Sequence, residues 1–188
     1  VTNNQKSLTA KNSEIIETQL EIIKRLGVAG EYRDNDTGEH VARMSQNCQL
    51  LAQSLGYDTT FCQNILHASP LHDVGKIGIS DLILLKPGKL DTTEFDKMQE
   101  HAQIGHSILS DHPSKIMQMA AVIAQTHHEK YDGSGYPKGL KAEQIPIEGR
   151  IAALCDVYDA LSSKRVYKEA WREDEVLEYI TTQSGKHF

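Results

Sequence analysis

The sequence has 188 residues, of which 39% are hydrophobic and 24% charged, enough apolar content for one folded domain and too much for a wholly disordered chain. Twenty Lys and Arg against 26 Asp and Glu leave a formal charge of −6 at pH 7, which excludes a general nucleic-acid or anionic-membrane surface. Three cysteines (Cys48, Cys62, Cys155) without a CxxC pair argue against a disulfide framework or a thiolate zinc site and fit a reducing compartment. The longest clean apolar run, Met119–Ala124, is far short of the roughly 18 residues a membrane span needs. With no leader peptide and Val1 in first place, the sequence reads as a piece of a larger cytoplasmic protein, a piece with no membrane contact and no nucleic-acid polymer as partner.

Val1–Lys11 is polar and reads as linker. Ile15, Ile16, Leu20, Ile22, Ile23 and Leu26 then recur at helical spacing and predict a helix that ends near Gly27. It is either a first core helix or a connector, residues 1–26, from an upstream receiver or sensor domain, and its Ile15–Leu26 face could also pair two copies of the chain. Asp36 and Glu39 form a capping-box pattern that opens a helix to about Ser54, with Val41, Met44, Cys48, Leu51, Ala52 and Leu55 facing inward. Further helices are expected over Thr59–Leu71, Thr93–Ser110, Lys115–His128, Ile147–Ser162 and Glu173–Thr182. Gly75–Leu90 is broken by Gly and Pro and reads as loop, and Tyr131–Pro146 reads as a long ordered loop or lid, a kind of segment that is usually functional. Alternation of strand type is almost absent, so the predicted class is all-α.

The unusual side chains are His40, the pair His72-Asp73, His101, the pair His127-His128, and Asp156. Each falls on, or at the end of, a different predicted helix, which suits a site built in the core of a helical bundle from ligands on facing helices. Five His and two Asp are more ligands than one ion with an open position takes. Adjacent helical residues point about 100° apart, so His127 and His128 are better placed to serve two neighbouring ions than one. Imidazole and carboxylate without thiolate favour Fe or Mn, with Ni and Zn also fitting, and disfavour a pure Ca or Mg site. Two ions about 3.5–4 Å apart are the usual equipment for phosphoester hydrolysis. Asp36 lies one turn before His40 and could be a ligand or simply the N-cap.

His72-Asp73-Val74-Gly75-Lys76 resembles the signature of the HD superfamily of metal-dependent phosphohydrolases, and His127-His128-Glu129-Lys130-Tyr131-Asp132-Gly133-Ser134-Gly135-Tyr136-Pro137 is similar to the extended signature of its HD-GYP subgroup. Ile77–Asp81, Lys86–Leu90, Asp156–Leu161 and Arg165–Trp171 are similar to HD-GYP blocks in the same order, so the resemblance covers about Asp36–Phe188. It implies an all-helical domain over residues 27–188, whose pattern continues past the end of this chain. It implies a phosphodiesterase that hydrolyses cyclic di-GMP to linear pGpG and often GMP in bacterial second-messenger signalling. The implied metal ligands are His40, His72, Asp73, His101, His127, His128 and Asp156. Asp36 stands where many members carry Glu beside a third metal.

An acidic chain must attract a dianionic substrate with local charge, for which Lys76, Arg165 and Lys168 are the candidates. Arg165 can grip a phosphate with a fork, whereas Lys76 acts as a point charge. Tyr136, on the Gly-rich loop, is expected to reach a phosphate or stack on guanine, and Asp159, one turn after Asp156, to orient Lys76 or a water. Asp73 and Lys76 are the expected catalytic groups: hydroxide held between two ions attacks phosphorus in line, the ribose 3′ oxygen leaves, and Lys76 stabilises the developing charge. Two alternatives stand beside this reading: a hydrolase of another 3′,3′-cyclic dinucleotide, and a receptor that binds cyclic di-GMP without cleaving it.

Overall fold

The computed structural model describes residues 3–34, 38–164 and 169–188, and among them every regular element is helical. Helix α1 (Asn3–Glu31) is followed by α2 (Gly38–Ser54), α3 (Thr59–Ala68), the four-residue α4 (Asp81–Leu84), α5 (Thr92–Leu109), α6 (Lys115–Thr126), α7 (Ile147–Ser162) and α8 (Glu173–Thr182). Short 3-10 turns cover Tyr32–Asp34, Ser69–Leu71, Val74–Gly78 and Ala142–Gln144.

The helices bury one face each around a shared core. Met44, Cys48 and Ala52 of α2, Cys62 and Ile65 of α3, Ala120, Ile123 and Ala124 of α6, and Ile151, Ala152 and Cys155 of α7 meet there. Truncating the fully buried Ile65 or Ile123 to Ala would cost about 2–5 kcal/mol. Pairings of α2 with α3 and α7, and of α6 with α3, α5 and α7, fix the bundle. Local signals set the ends: Asp58 accepts from the Phe61 amide at the start of α3, and Asp91 and Glu94 form a capping box on α5.

Four boundaries depart from the sequence reading. Helix α1 begins at Asn3, inside the stretch expected to be linker, and runs through Gly27 to Glu31, and its last turns are buried against the domain. Helix α3 stops at Ala68, because Pro70 has no amide to continue the ladder, and the chain tightens into a 3-10 turn. The Gly75–Leu90 segment carries a 3-10 turn and α4 rather than loop alone. Leu55 lies beyond the end of α2 and is exposed.

Candidate metal centre

Asp73, His101, His127 and His128 bring one ligand atom each to within 4.8 Å of one another, and so do His40, His72 and Asp156. The two groups come from α2, the Leu71–Val74 bend, α5, the end of α6 and α7. Asp73 faces both. Its Oδ1 lies 3.2 Å from His101 Nε2 and 3.4 Å from His127 Nε2, while its Oδ2 lies 3.4 Å from His72 Nε2 and 2.7 Å from Lys76 Nζ.

Each imidazole is aimed by what its other nitrogen touches. His72 Nδ1 is 3.0 Å from the Ser69 carbonyl, His101 Nδ1 is 2.7 Å from Met98 O, and His127 Nδ1 is 3.1 Å from Ile123 O. A carbonyl accepts only, so each Nδ1 carries the proton and each Nε2 presents its lone pair inward. His40 is held by a carboxylate instead: Asp159 Oδ2 is 2.7 Å from its Nδ1, and its Nε2 lies 3.5 Å from Asp156 Oδ1.

His127 and His128 bring their ligand atoms into one group with Asp73 and His101, their ring centroids 4.0 Å apart at the end of α6.

Close backbone approach makes the geometry possible. A Cβ at Gly75 would overlap the His101 carbonyl and the Gly105 amide, so only glycine lets the Asp73–Lys76 turn lie flat on α5. A Cβ at Gly135 would likewise meet His128 O and the Lys130 amide, where the loop folds back. That loop is pinned by Glu129, buried, whose carboxylate accepts from the Lys138 and Leu140 amides. The Tyr136 amide donates to His128 O at 3.2 Å, and the Tyr136 ring stacks on His128 at 4.7 Å.

The electrostatics fit a cationic occupant. Both oxygens of Glu31, Asp73 Oδ1 and the Nε2 atoms of His72, His101 and His127 are buried without a hydrogen bond. Such groups are costly unless something satisfies them. Ligands about 2.1 Å from one ion in tetrahedral array stand about 3.4 Å apart, and the inward contacts here run from 3.2 to 3.8 Å. The donor set therefore fits transition-metal ions. Burial alone would lower the His72 imidazole, yet the negative charge of Asp73, Glu31 and Asp156 raises it to about 10, so the cluster favours positive charge at its centre. Burial lowers His127 and His128.

The remaining expected residues divide. Lys76 is buried beside Asp73, and Tyr136 is half-buried over His128. Asp159, expected among the substrate-binding groups, is buried, and its oxygens take His40 Nδ1, Arg43 Nε at 2.7 Å and Arg43 Nη2 at 3.0 Å. Burial would push its carboxyl up, but His40 and Arg43 hold it down at about 2. Asp36, Arg165 and Lys168 lie outside the described residues.

Three residues escaped the sequence reading. Arg43 braces Asp159. Arg33 donates to Lys76 O at 2.8 Å and to Ile79 O at 3.0 Å, and pairs with Asp81 at 2.6 Å, so it clamps the turn that carries Lys76. Glu31, at the end of α1, is buried beside His72 and Lys76. The glycines Gly27 and Gly30 just before it were the available signal, since they let the helix end pack closely.

Known proteins are similar to this chain. An HD domain family model matches residues 8–188. The 3′3′-cGAMP-specific phosphodiesterase 2 of Vibrio cholerae is 47% identical over 175 residues, 93% of this chain and 34% of that protein. The cyclic di-GMP phosphodiesterase response regulator RpfG of Xanthomonas campestris is 47% identical over 184 residues, 98% of this chain and 49% of that protein. A cyclic di-GMP phosphodiesterase of Thermotoga maritima is 46% identical over 167 residues, 89% of this chain and 45% of that protein. The chain thus spans between a third and a half of these relatives. The crystal structure of a cyclic GMP-AMP specific phosphodiesterase from V. cholerae shares the fold with a TM-score of 0.64 at 20% identity, covering 90% of this chain and 45% of that one. With its His72-Asp73 pair at the centre of the bundle and Gly135-Tyr136-Pro137 folded over it, the chain belongs to the HD domain family, in its HD-GYP branch.

Proposed function

We propose that the chain is a metal-dependent phosphodiesterase that hydrolyses cyclic di-GMP to linear pGpG. The carrying observation is Asp73, whose two oxygens face two separate sets of buried, unsatisfied imidazoles. His101, His127 and His128 would hold one ion with Asp73 Oδ1. His40, His72 and Asp156 would hold the other, with Asp73 as the bridging carboxylate. Fe or Mn suits these donors best, Ni and Zn also fit, and a third ion would involve Asp36. When bound, the ions supply Lewis acidity at the phosphoryl oxygens and acidify water.

The chain's own residues do the rest. Lys76 Nζ is fixed beside the cluster by Asp73 and neutralises charge gathering on the phosphate. Asp159 keeps the His40 ring in register, a positioning role rather than a substrate contact. Tyr136 covers the site from the loop and offers its hydroxyl or ring face to the nucleotide, with Arg165 and Lys168 as further phosphate partners. The substrate assignment is supported by relatives named as cyclic di-GMP phosphodiesterases at 46–47% identity.

A second reading has its own support, since a relative at 47% identity is named for 3′3′-cGAMP. One experiment separates the readings: metal analysis of anaerobically purified protein, with product analysis on cyclic di-GMP and 3′3′-cGAMP in parallel. Two or more equivalents of metal with faster pGpG formation supports the main reading, and faster cGAMP cleavage the second. A loaded protein that binds either nucleotide without cleaving it is a receptor.

No helix among the described residues is long and apolar enough to cross a membrane, and the reading places the domain in the cytoplasm, where its substrate is a diffusible messenger. Residues 1–26 act as a connector from an upstream receiver or sensor domain. Leu8, Ile15, Ile22 and Leu26 remain exposed on α1, mostly at seven-residue spacing, and suit pairing of two such helices in a homodimer.

A further inference from the structure

We propose that Glu31 is a further metal ligand, delivered to the centre by the helix that enters the domain, and that it serves the same ion as His72. This inference rests on the metal-dependent reading above.

Glu31 is 1% exposed, and neither of its oxygens accepts a hydrogen bond. A charged carboxylate so placed is costly without a cation in contact with it. Its near neighbours are the ligands themselves: Oε1 lies 3.8 Å from His72 Nε2, and Glu31, His72 and Asp73 each bring a ligand atom within 4.8 Å of the others. The 3.8 Å separation is close to the roughly 3.4 Å between neighbouring ligands around one ion. Lys76 does not take the role. Its ammonium lies 2.7 Å from Asp73 and 3.9 Å from Glu31, so its close partner is Asp73.

The assignment to one ion follows from His72. Its Nδ1 is occupied by the Ser69 carbonyl, which leaves Nε2 as the one atom it can offer. His72 belongs both to the group with His40 and Asp156 and to the group with Glu31 and Asp73. The two groups therefore meet at a single ion, to which Glu31 adds a negative charge that the seven residues read from the sequence do not supply. Glu31 is also the last residue of α1, so occupancy of that ion ties the entering helix to the bundle core.

The test is calorimetric titration of the chelator-stripped full chain with Mn²⁺, for wild type and Glu31→Gln, with thermal melts of the metal-free forms. Glu31→Gln keeps the shape and removes the charge. The expected result is an affinity at least tenfold weaker in one binding step, the other step unchanged, and a metal-free melt no lower than wild type. Unchanged stoichiometry and affinities overturn the inference. A lower metal-free melt with unchanged binding also overturns it, by making Glu31 a structural counter-charge. Glu31→Asp keeps the charge and shortens the reach: weakening of the same step supports the ligand, and unchanged affinity overturns it. Wild type that takes up no Mn²⁺, Fe²⁺, Ni²⁺ or Zn²⁺ would sink the metal-dependent reading itself, a failure separate from equal loading of wild type and variant.

Discussion

Asp159 Oδ2 sits 2.7 Å from His40 Nδ1, and this contact turns the opposite nitrogen of the ring toward Asp156. Because Arg43 grips the same carboxylate, two side chains, one from α2 and one from α7, set the imidazole. Asp159→Asn should keep the fold and lose the charged acceptor. Metal affinity is expected to fall about 10- to 100-fold, as when other carboxylates behind a metal-bound histidine are removed. Titration with Mn²⁺ checks it; full affinity would return Asp159 to packing.

Metal removal should be visible in stability as well as turnover. An ion at about 1,000 times its dissociation constant stabilises the folded state by about 4 kcal/mol. Wild type in Mn²⁺ should melt well above wild type in chelator. His72→Ala should abolish both that difference and phosphodiesterase activity. Scanning calorimetry with and without metal decides it, and a variant that keeps the full metal-induced rise would remove His72 from the centre.

Gly75→Ala tests the close approach of the Asp73–Lys76 turn to α5. The added methyl meets backbone at His101 and Gly105, which cannot yield as a flexible side chain would. A loss of about 1–3 kcal/mol is expected from the overpacking. Urea denaturation measures it. Because the turn carries Asp73, the variant should also bind metal more weakly, whereas unaltered stability would mean the turn can slide.

Tyr136→Phe preserves the ring on His128 and deletes the hydroxyl. KM should rise about tenfold, the worth of one hydrogen bond to a charged group at about 1.4 kcal/mol, with metal content unchanged. Steady-state kinetics on cyclic di-GMP supply the numbers. An unchanged KM would confine Tyr136 to covering His128.

The sequence made the all-helical class and the cluster legible because both are written in short-range pattern. Helical periodicity needs only a few turns of chain, and His72-Asp73 and His127-His128 announce themselves as pairs. Roles that depend on what lies opposite were harder. Asp159 was placed near the centre from its spacing to Asp156, but its partner Arg43 is 116 residues away and the direction of the side chain follows from that contact. The shared location of His127 and His128 depends on α6 ending at Thr126, a boundary that periodicity does not fix. Arg33 clamps backbone carbonyls more than forty residues away, and no local pattern encodes such a bond.

Glu129 accepts from the amides of Lys138 and Leu140, so the chain between them returns to where it left. Mechanically this stretch is a closed ring, clasped at Glu129 and again where the Tyr136 amide meets the His128 carbonyl. A shift of one helix against the other would then carry Tyr136 along with His128 as a single piece, keeping the cover in register with the ring beneath it.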